Sequence, residues 1–195
     1  MSLMDMLQQR LGGDAVNRIS KQIGADPGTT NSTIMAALPL LVSAMARNTA
    51  DQGKAQSLSN AVSQDHDGSI LDDVPGYLER PDTGAGKGIL KHVLGSRQTA
   101  AQSGLSQVTG MDQAKVGHLL TVLAPLVMGA LGKSQRERGL DDRGLATLLT
   151  SEQESLKQSS PGVMGGLSRF LDQDGDGSVM DDVGGMLGKA FGGKR

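Results

Sequence analysis

"GADPGTTNSTIMAALPLLVSAMARN", residues 24–48, contains one of the two most apolar stretches of the chain, residues 34–46. Apolar side chains would cover nearly every side of a helix over residues 31–47, and this pattern predicts a buried central helix. Pro39 lies inside that helix. Because proline lacks an N–H donor and its ring clashes with the preceding turn, we expect a kink there.

A second stretch, "GMDQAKVGHLLTVLAPLVMGALGKS" at residues 110–134, matches the first with the same spacing of Gly, Asp and Pro. Pro125 aligns with Pro39, and Asp112 is the predicted N-cap of the second central helix. The sequence therefore predicts an all-α fold of two tandem pseudo-repeated helical bundles. Each bundle would have a central apolar, Pro-kinked helix and an acidic turn. We expect unit one at 1–80, a Gly- and Pro-containing linker at 81–86, and unit two at 87–195 with an inserted helix around 141–157.

The remaining helices are predicted from apolar spacing. An N-terminal stripe has residues three to five apart, which fits one helix or two short helices broken at Gly12-Gly13; its members are Leu3, Leu7, Leu11, Val16, Ile19 and Ile23. Further helices are expected at 53–63, 87–96, 97–109, 141–157 and 161–171. Met35 and Met45 lie on apolar faces, where gap-filling in the core is expected and an adaptable binding surface is the alternative.

Composition excludes several classes of function. The 195-residue chain has no Cys, so it forms no disulfide and has no thiol nucleophile. A net charge of −2 and an aromatic share of 2% argue against a nucleic-acid binder. The N-terminus lacks the pattern of a signal peptide, and both apolar stretches are shorter than the roughly 20 residues that span a bilayer. We therefore expect a cytoplasmic protein.

An acidic turn near the C-terminus, "DQDGDGSVMDDVGGML" at 172–187, fits the register of a calcium-binding loop. Asp172, Asp174 and Asp176 occupy the alternating positions 1, 3 and 5, and the carbonyl of Ser178 falls at position 7. Position 12 is Val183 instead of the usual Glu, so Asp181 and Asp182 would have to complete the ligand set. The alternative is structural, with a Ser-capped helix that carries both carboxylates in its first turn.

The earlier copy of this turn, "QDHDGSILDDVPGYL" at 64–78, is a weaker candidate for a metal site. Ser63 replaces the first Asp, and the remaining carboxylates are Asp65, Asp67, Asp72 and Asp73. Both copies keep the pattern "DGS(I/V)(L/M)DDV". A turn followed by a capped helix explains that shared part better than metal ligation does.

Three segments together resemble the bacterial YidB-like family of unknown function: "DGDGSVMDDVGGMLG", "LAPLVMGALG" and "GLSQVTGMD". The resemblance covers most of the chain. It implies an all-helical bacterial fold and brings no catalytic residue with it. Many relatives resemble a single unit, whereas this chain resembles two.

The sequence contains no catalytic constellation, so we expect a non-enzymatic binding, assembly or structural module. The Gly-rich C-terminal segment "VGGMLGKAFGGKR" has poor helix propensity, so it should need to dock on another protein surface to be stable. We therefore expect self-association, in which the protein partner is another copy of this chain. Two alternatives remain open. One is a membrane-active protein whose apolar helices emerge on a trigger, and the other is a hydrolase or lyase that uses the acidic-turn carboxylates.

The calcium hypothesis predicts that the full chain takes up Ca²⁺ in a calorimetric titration and that the double variant Asp174→Asn/Asp176→Asn does not. At one hundred times its dissociation constant, the ion should add roughly 2.7 kcal/mol to the free energy of unfolding. If neither protein releases or absorbs heat and neither thermal midpoint moves, the turn has only its structural role.

Overall fold

The computed structural model describes residues 2–159, and they form an all-α fold with no strand in that range. The predicted fold class is confirmed. Short 3-10 turns at Ser69–Leu71 and Gly95–Arg97 join some of the α-helices. The α-helices are α1 (Leu3–Arg10), α2 (Gly13–Ile23), α3 (Pro27–Asn48), α4 (Gln52–Asp65), α5 (Val74–Glu79), α6 (Thr83–Leu94), α7 (Gln98–Thr109), α8 (Gln113–Arg138) and α9 (Asp142–Ser159).

The two predicted apolar segments form the long central helices α3 and α8, and both are buried. Leu38 and Leu41 of α3 and Leu120 and Leu123 of α8 are 0% exposed. Burying such a side chain fully contributes roughly 1.5–3 kcal/mol relative to leaving it exposed, so the two helices are a large part of the core. Met45 is buried as expected. The prediction for Met35 was wrong, since this side chain is 43% exposed on a helix that is otherwise buried from Thr33 to Ala46.

Each central helix begins with the same local geometry. Gly24 ends α2 with a φ of 63°, and the Asp26 side chain then accepts a hydrogen bond of 2.7 Å from the N–H of Thr29. Gly110 ends α7 with a φ of 73°, and the Asp112 side chain accepts a hydrogen bond of 2.9 Å from the N–H of Ala114. The positive φ explains the glycines, because side chains with a Cβ rarely adopt it. The division into two tandem copies stays a prediction.

The N-terminal stripe forms two helices that break at Gly12-Gly13, which is one of the two predicted arrangements. α2 packs on α3 and α5, and α1 packs on α8. All six members of the stripe are buried. The first helix therefore contacts an element of the other predicted unit.

Helices from both predicted units share one hydrophobic core among the described residues. α3 packs on α8, and the predicted inserted helix, α9, packs on α3 and α4. The buried Glu152 on α9 accepts a hydrogen bond of 2.8 Å from the backbone N–H of Leu3, and this contact satisfies a donor at the start of α1. The boundaries of units one and two stay predictions, but in the described part of the chain their helices contact each other extensively.

The predicted linker at 81–86 is partly helical, because α6 begins at Thr83 with Asp82 as its N-cap. Gly86 is buried against α8, and a Cβ there would overlap the carbonyl oxygen of Thr121. In a regular helix the N–H of residue 125 would donate to the carbonyl of Thr121, but Pro125 has no N–H. The glycine is therefore needed where α6 crosses closely over the proline-containing turn of α8.

α3 and α8 are also long and apolar enough, by length and composition alone, to cross a membrane. In each helix, 78% of the most apolar window is buried inside the fold. Core helices of soluble proteins have the same properties. In the described part of the chain, both helices form the core of the bundle.

The substitution Gly86→Ala is expected to destabilise the protein by roughly 1–3 kcal/mol, because the added methyl group would push α6 away from α8. Gly88→Ala is the matched control: Gly88 is exposed on the same helix with nothing within 4 Å of an added Cβ. That variant should be stabilised by up to about 1 kcal/mol through helix propensity. Urea unfolding of both variants measures the difference, and equal stabilities would contradict the close crossing.

Candidate functional site

The first acidic turn connects α4 to α5 and lies against the C-terminal half of α8. Asp65 is the last residue of α4, and the 3-10 turn and Asp73 lead into α5. Tyr77 of α5 donates a hydrogen bond of 3.0 Å from its hydroxyl to the carbonyl of Val122. Burial raises the pKa of Tyr77 well above its ordinary range, so the hydroxyl remains a donor. This hydrogen bond fixes α5, the helix that follows the turn, to α8.

Three carboxylates of the turn have separate structural partners. Asp67 accepts a hydrogen bond of 2.9 Å from the N–H of Ser69 and pairs with Arg136 at 3.5 Å. Asp72 forms an ion pair with Lys133 at 3.5 Å. Asp73 caps α5 by accepting a hydrogen bond of 2.9 Å from the N–H of Gly76. Hydrogen bonds from Ser69 and the nearby charge of Arg136 hold the pKa of Asp67 below its ordinary value.

Glycines let the turn approach α8 closely. A Cβ at Gly132 would overlap the carbonyl oxygen of His66, and a Cβ at Gly129 would overlap the side chain of Ile70. Gly68 has a φ of 93°, and a Cβ there would lie 2.8 Å from the Cβ of Lys133. The close approach of the turn to α8 leaves the His66 side chain half-buried. Desolvation lowers the pKa of His66, which favours the neutral imidazole.

The turn does not bring its carboxylates together as a set of metal ligands. Within residues 2–159, no group of three or more His, Asp or Glu side chains is placed to hold a metal ion. Asp67, Asp72 and Asp73 instead have the partners described above. The stronger candidate residues lie outside the described residues, so their role stays a prediction; they are Asp172, Asp174, Asp176, Ser178, Asp181 and Asp182.

A second feature, which the sequence did not indicate, is a basic cavity of about 200 Å³. It lies between the end of α3, the first turn of α4 and the α6–α7 junction. Its charged and titratable lining residues are Arg47, Lys54, His92 and Arg97. These residues are spread over three segments, so no basic run marks them. The only signal in the sequence is that each lies near the end of a predicted helix.

Asn48 fixes the wall of the basic cavity. Its side-chain N–H groups donate to the carbonyls of His92 and Val93, at 3.2 and 3.0 Å. These carbonyls belong to the last turn of α6, where backbone acceptors have no partner within the helix. Gly95 then turns the chain towards α7 with a φ of 55°. The C-terminal end of α3 is thereby held against the C-terminal end of α6.

The chain matches a family described as a bacterial protein of unknown function (DUF937) over residues 5–134. The chain belongs to the DUF937 family. The YidB-like resemblance is consistent with this assignment. The match runs from α1 almost to the end of α8 and crosses residues 81–86, so it does not confirm two tandem copies. No curated protein and no solved structure matches the chain.

The acidic turn of this DUF937 protein gives a pH-dependent prediction. Because the folded-state pKa of Asp67 is depressed, its charge stabilises the fold above the ordinary Asp pKa of about 3.9, and this contribution is lost as the pH falls through the lower folded value. Asp67→Asn keeps an acceptor for Ser69 but removes the charge. The difference in unfolding free energy between wild type and this variant should therefore be largest near pH 7 and narrow below about pH 4.

Asp65→Asn is the control, since it makes the same change in net charge two residues away, at a side chain with no ion pair in the described part of the chain. Denaturant unfolding at several pH values is the measurement. If the difference in unfolding free energy between wild type and Asp67→Asn stays constant with pH, or if Asp65→Asn shows an equal difference, the ion pair with Arg136 makes no specific contribution to stability.

Proposed function

We propose that the protein is a non-enzymatic binding and assembly module that associates with copies of itself. The observation that supports this most directly is how the carboxylates are used. Asp26, Asp51, Asp73, Asp82 and Asp112 cap helices, and each accepts a hydrogen bond from a backbone N–H in the first turn. These acidic groups stabilise a framework of helices, which is the property of a scaffold.

Further carboxylates connect separate elements. Glu79 pairs with Arg18 at 3.2 Å between α5 and α2, and Asp72 pairs with Lys133 at 3.5 Å. Glu152 connects α9 to the start of α1. Catalysis by acid and base requires instead a pair of groups in a cleft with separated pKa values. The arrangement of the carboxylates therefore favours the scaffold over the hydrolase or lyase alternative.

Met35 is our candidate contact with a second copy. It is one of two large hydrophobic side chains that the described residues expose, at 43%, and Val108 at 51% is the other. A methionine side chain is flexible and polarisable, so it can adapt to the surface of a partner. The Gly-rich C-terminal segment, which has poor helix propensity, supplies an independent reason to expect docking.

Static light scattering over a range of concentrations tests self-association. The full chain has a mass of 20.2 kDa, and we expect the measured mass to rise above this value with concentration. Met35→Gln should shift the equilibrium towards the monomer by removing apolar contact area. Asn31→Gln is the control, because Asn31 is exposed one helical turn earlier on α3. A monomer of constant mass at every concentration would overturn the proposal.

A further inference from the structure

The helix α9 packs against the fold through one narrow stripe of side chains. Polar residues such as Thr147 and Glu154 are exposed on its other side. The buried residues lie three or four positions apart and therefore share one face of the helix; they are Leu145, Leu149, Glu152 and Leu156. α9 is thus an amphipathic helix whose outer face is compatible with water.

The stripe of α9 fills a groove formed by helices from the first part of the chain. α9 packs mainly on α3 and also on α4. In a helix-in-groove contact of this kind, anchor side chains repeat at helical spacing along one face. α3 and α4 lie within residues 5–134, which match the family, whereas α9 lies wholly outside them. The groove and the helix that fills it therefore belong to separate segments of the chain.

A buried polar contact makes the groove specific for α9. Glu152 belongs to the buried stripe, and its carboxylate accepts a hydrogen bond of 2.8 Å from the backbone N–H of Leu3. Leu3 is the first residue of α1, where the N–H has no acceptor within its own helix. A wholly apolar helix in the groove would leave this buried donor without a partner, which is unfavourable. The groove is therefore matched to the sequence of α9 and not to apolar helices in general.

The connection between α8 and α9 has the properties of a hinge. Gly139 ends α8 with a φ of 60°, and the N–H of Leu140 donates a hydrogen bond of 2.9 Å to a carbonyl in the last turn of α8. The Asp141 side chain then caps α9 by accepting 2.8 Å from the N–H of Gly144. These hydrogen bonds are local to the turn, and Gly139 and Asp141 are exposed. Residues 139–141 can therefore extend while the buried stripe of α9 keeps its own contacts.

We propose that the groove on α3 and α4 is an interaction surface for α9 of a second copy, so that two chains exchange this helix and form a dimer. The exchanged dimer keeps the contacts of the stripe, including the hydrogen bond between Glu152 and Leu3, but makes them between chains. Exchange of an identical element is a low-cost route to a dimer, because the monomer already contains the interface. This inference rests on the proposed self-association and names a surface for it that does not require Met35.

Sedimentation equilibrium of the full-length variant Gly139→Ala tests the exchange. Alanine disfavours the positive φ of the closed turn, whereas the extended hinge releases residue 139 from that conformation in both chains of the dimer. We therefore expect the dissociation constant of the dimer to fall by at least about tenfold. Gly110→Ala is the matched control, since Gly110 also ends a helix with a positive φ and has nothing within 4 Å of an added Cβ. It precedes the buried α8, so this variant should lose stability without a change in the dissociation constant.

An isotope-filtered NOE experiment on the wild type identifies the exchanged helix directly, and it provides the test even if Gly139→Ala fails to fold. Labelled and unlabelled chains are unfolded and refolded together, so that mixed dimers form. We expect a cross-peak between the amide proton of Leu3 in one chain and the Glu152 side chain of the other.

The outcomes separate the exchange from the self-association on which it rests. A dimer that lacks this cross-peak and is weakened by Met35→Gln would overturn the exchange and leave the self-association intact. A dimer that forms only in Gly139→Ala, with the cross-peak, would support the exchange but not the self-association of the wild type. A mass that stays at 20.2 kDa in both proteins at every concentration would overturn both proposals.

Discussion

The burial of α3 and α8 is the constraint on which the rest of the fold depends. Each helix satisfies its own backbone hydrogen bonds, apart from those that its proline removes, but has apolar side chains on nearly every side. Such a helix is stable in water only when other helices cover it completely. The surrounding helices provide that cover from both halves of the chain, and residues from Leu3 to Leu156 therefore share one core.

Close approach at glycines determines how the surrounding elements lie on α8. The chain has only three aromatic residues, and its core consists mainly of Leu, Val, Ile, Ala and Met. A core of aliphatic side chains fills its volume when the backbones come near each other, and Gly86, Gly129 and Gly132 permit this at the contacts with α6 and the acidic turn. The high glycine content thus has a packing role as well as a role in turns.

Charge is distributed in the fold according to helix ends. Capping carboxylates such as Asp26 and Asp112 lie at helix N-termini, whereas Arg47 and His92 of the basic cavity lie in the last turns of α3 and α6. The two features that the structure brings out therefore differ in kind. The acidic turn fixes one element to another, and the basic cavity groups basic side chains from three segments.

The sequence alone determined the fold class, the two central helices and the Asp112 cap, because each depends on local periodicity or on the geometry of one turn. It allowed the break at Gly12-Gly13 as one of two arrangements, and it did not identify the Asp26 cap. It also indicated the structural use of the first acidic turn, whose pattern contains its own helix cap. It misplaced the start of α6 and predicted that Met35 would be buried, since α8 and the covering helices decide both. Only the tertiary structure brought Arg47, Lys54, His92 and Arg97 to one cavity. Their grouping depends on how three helix ends meet, and neither spacing nor composition specifies that.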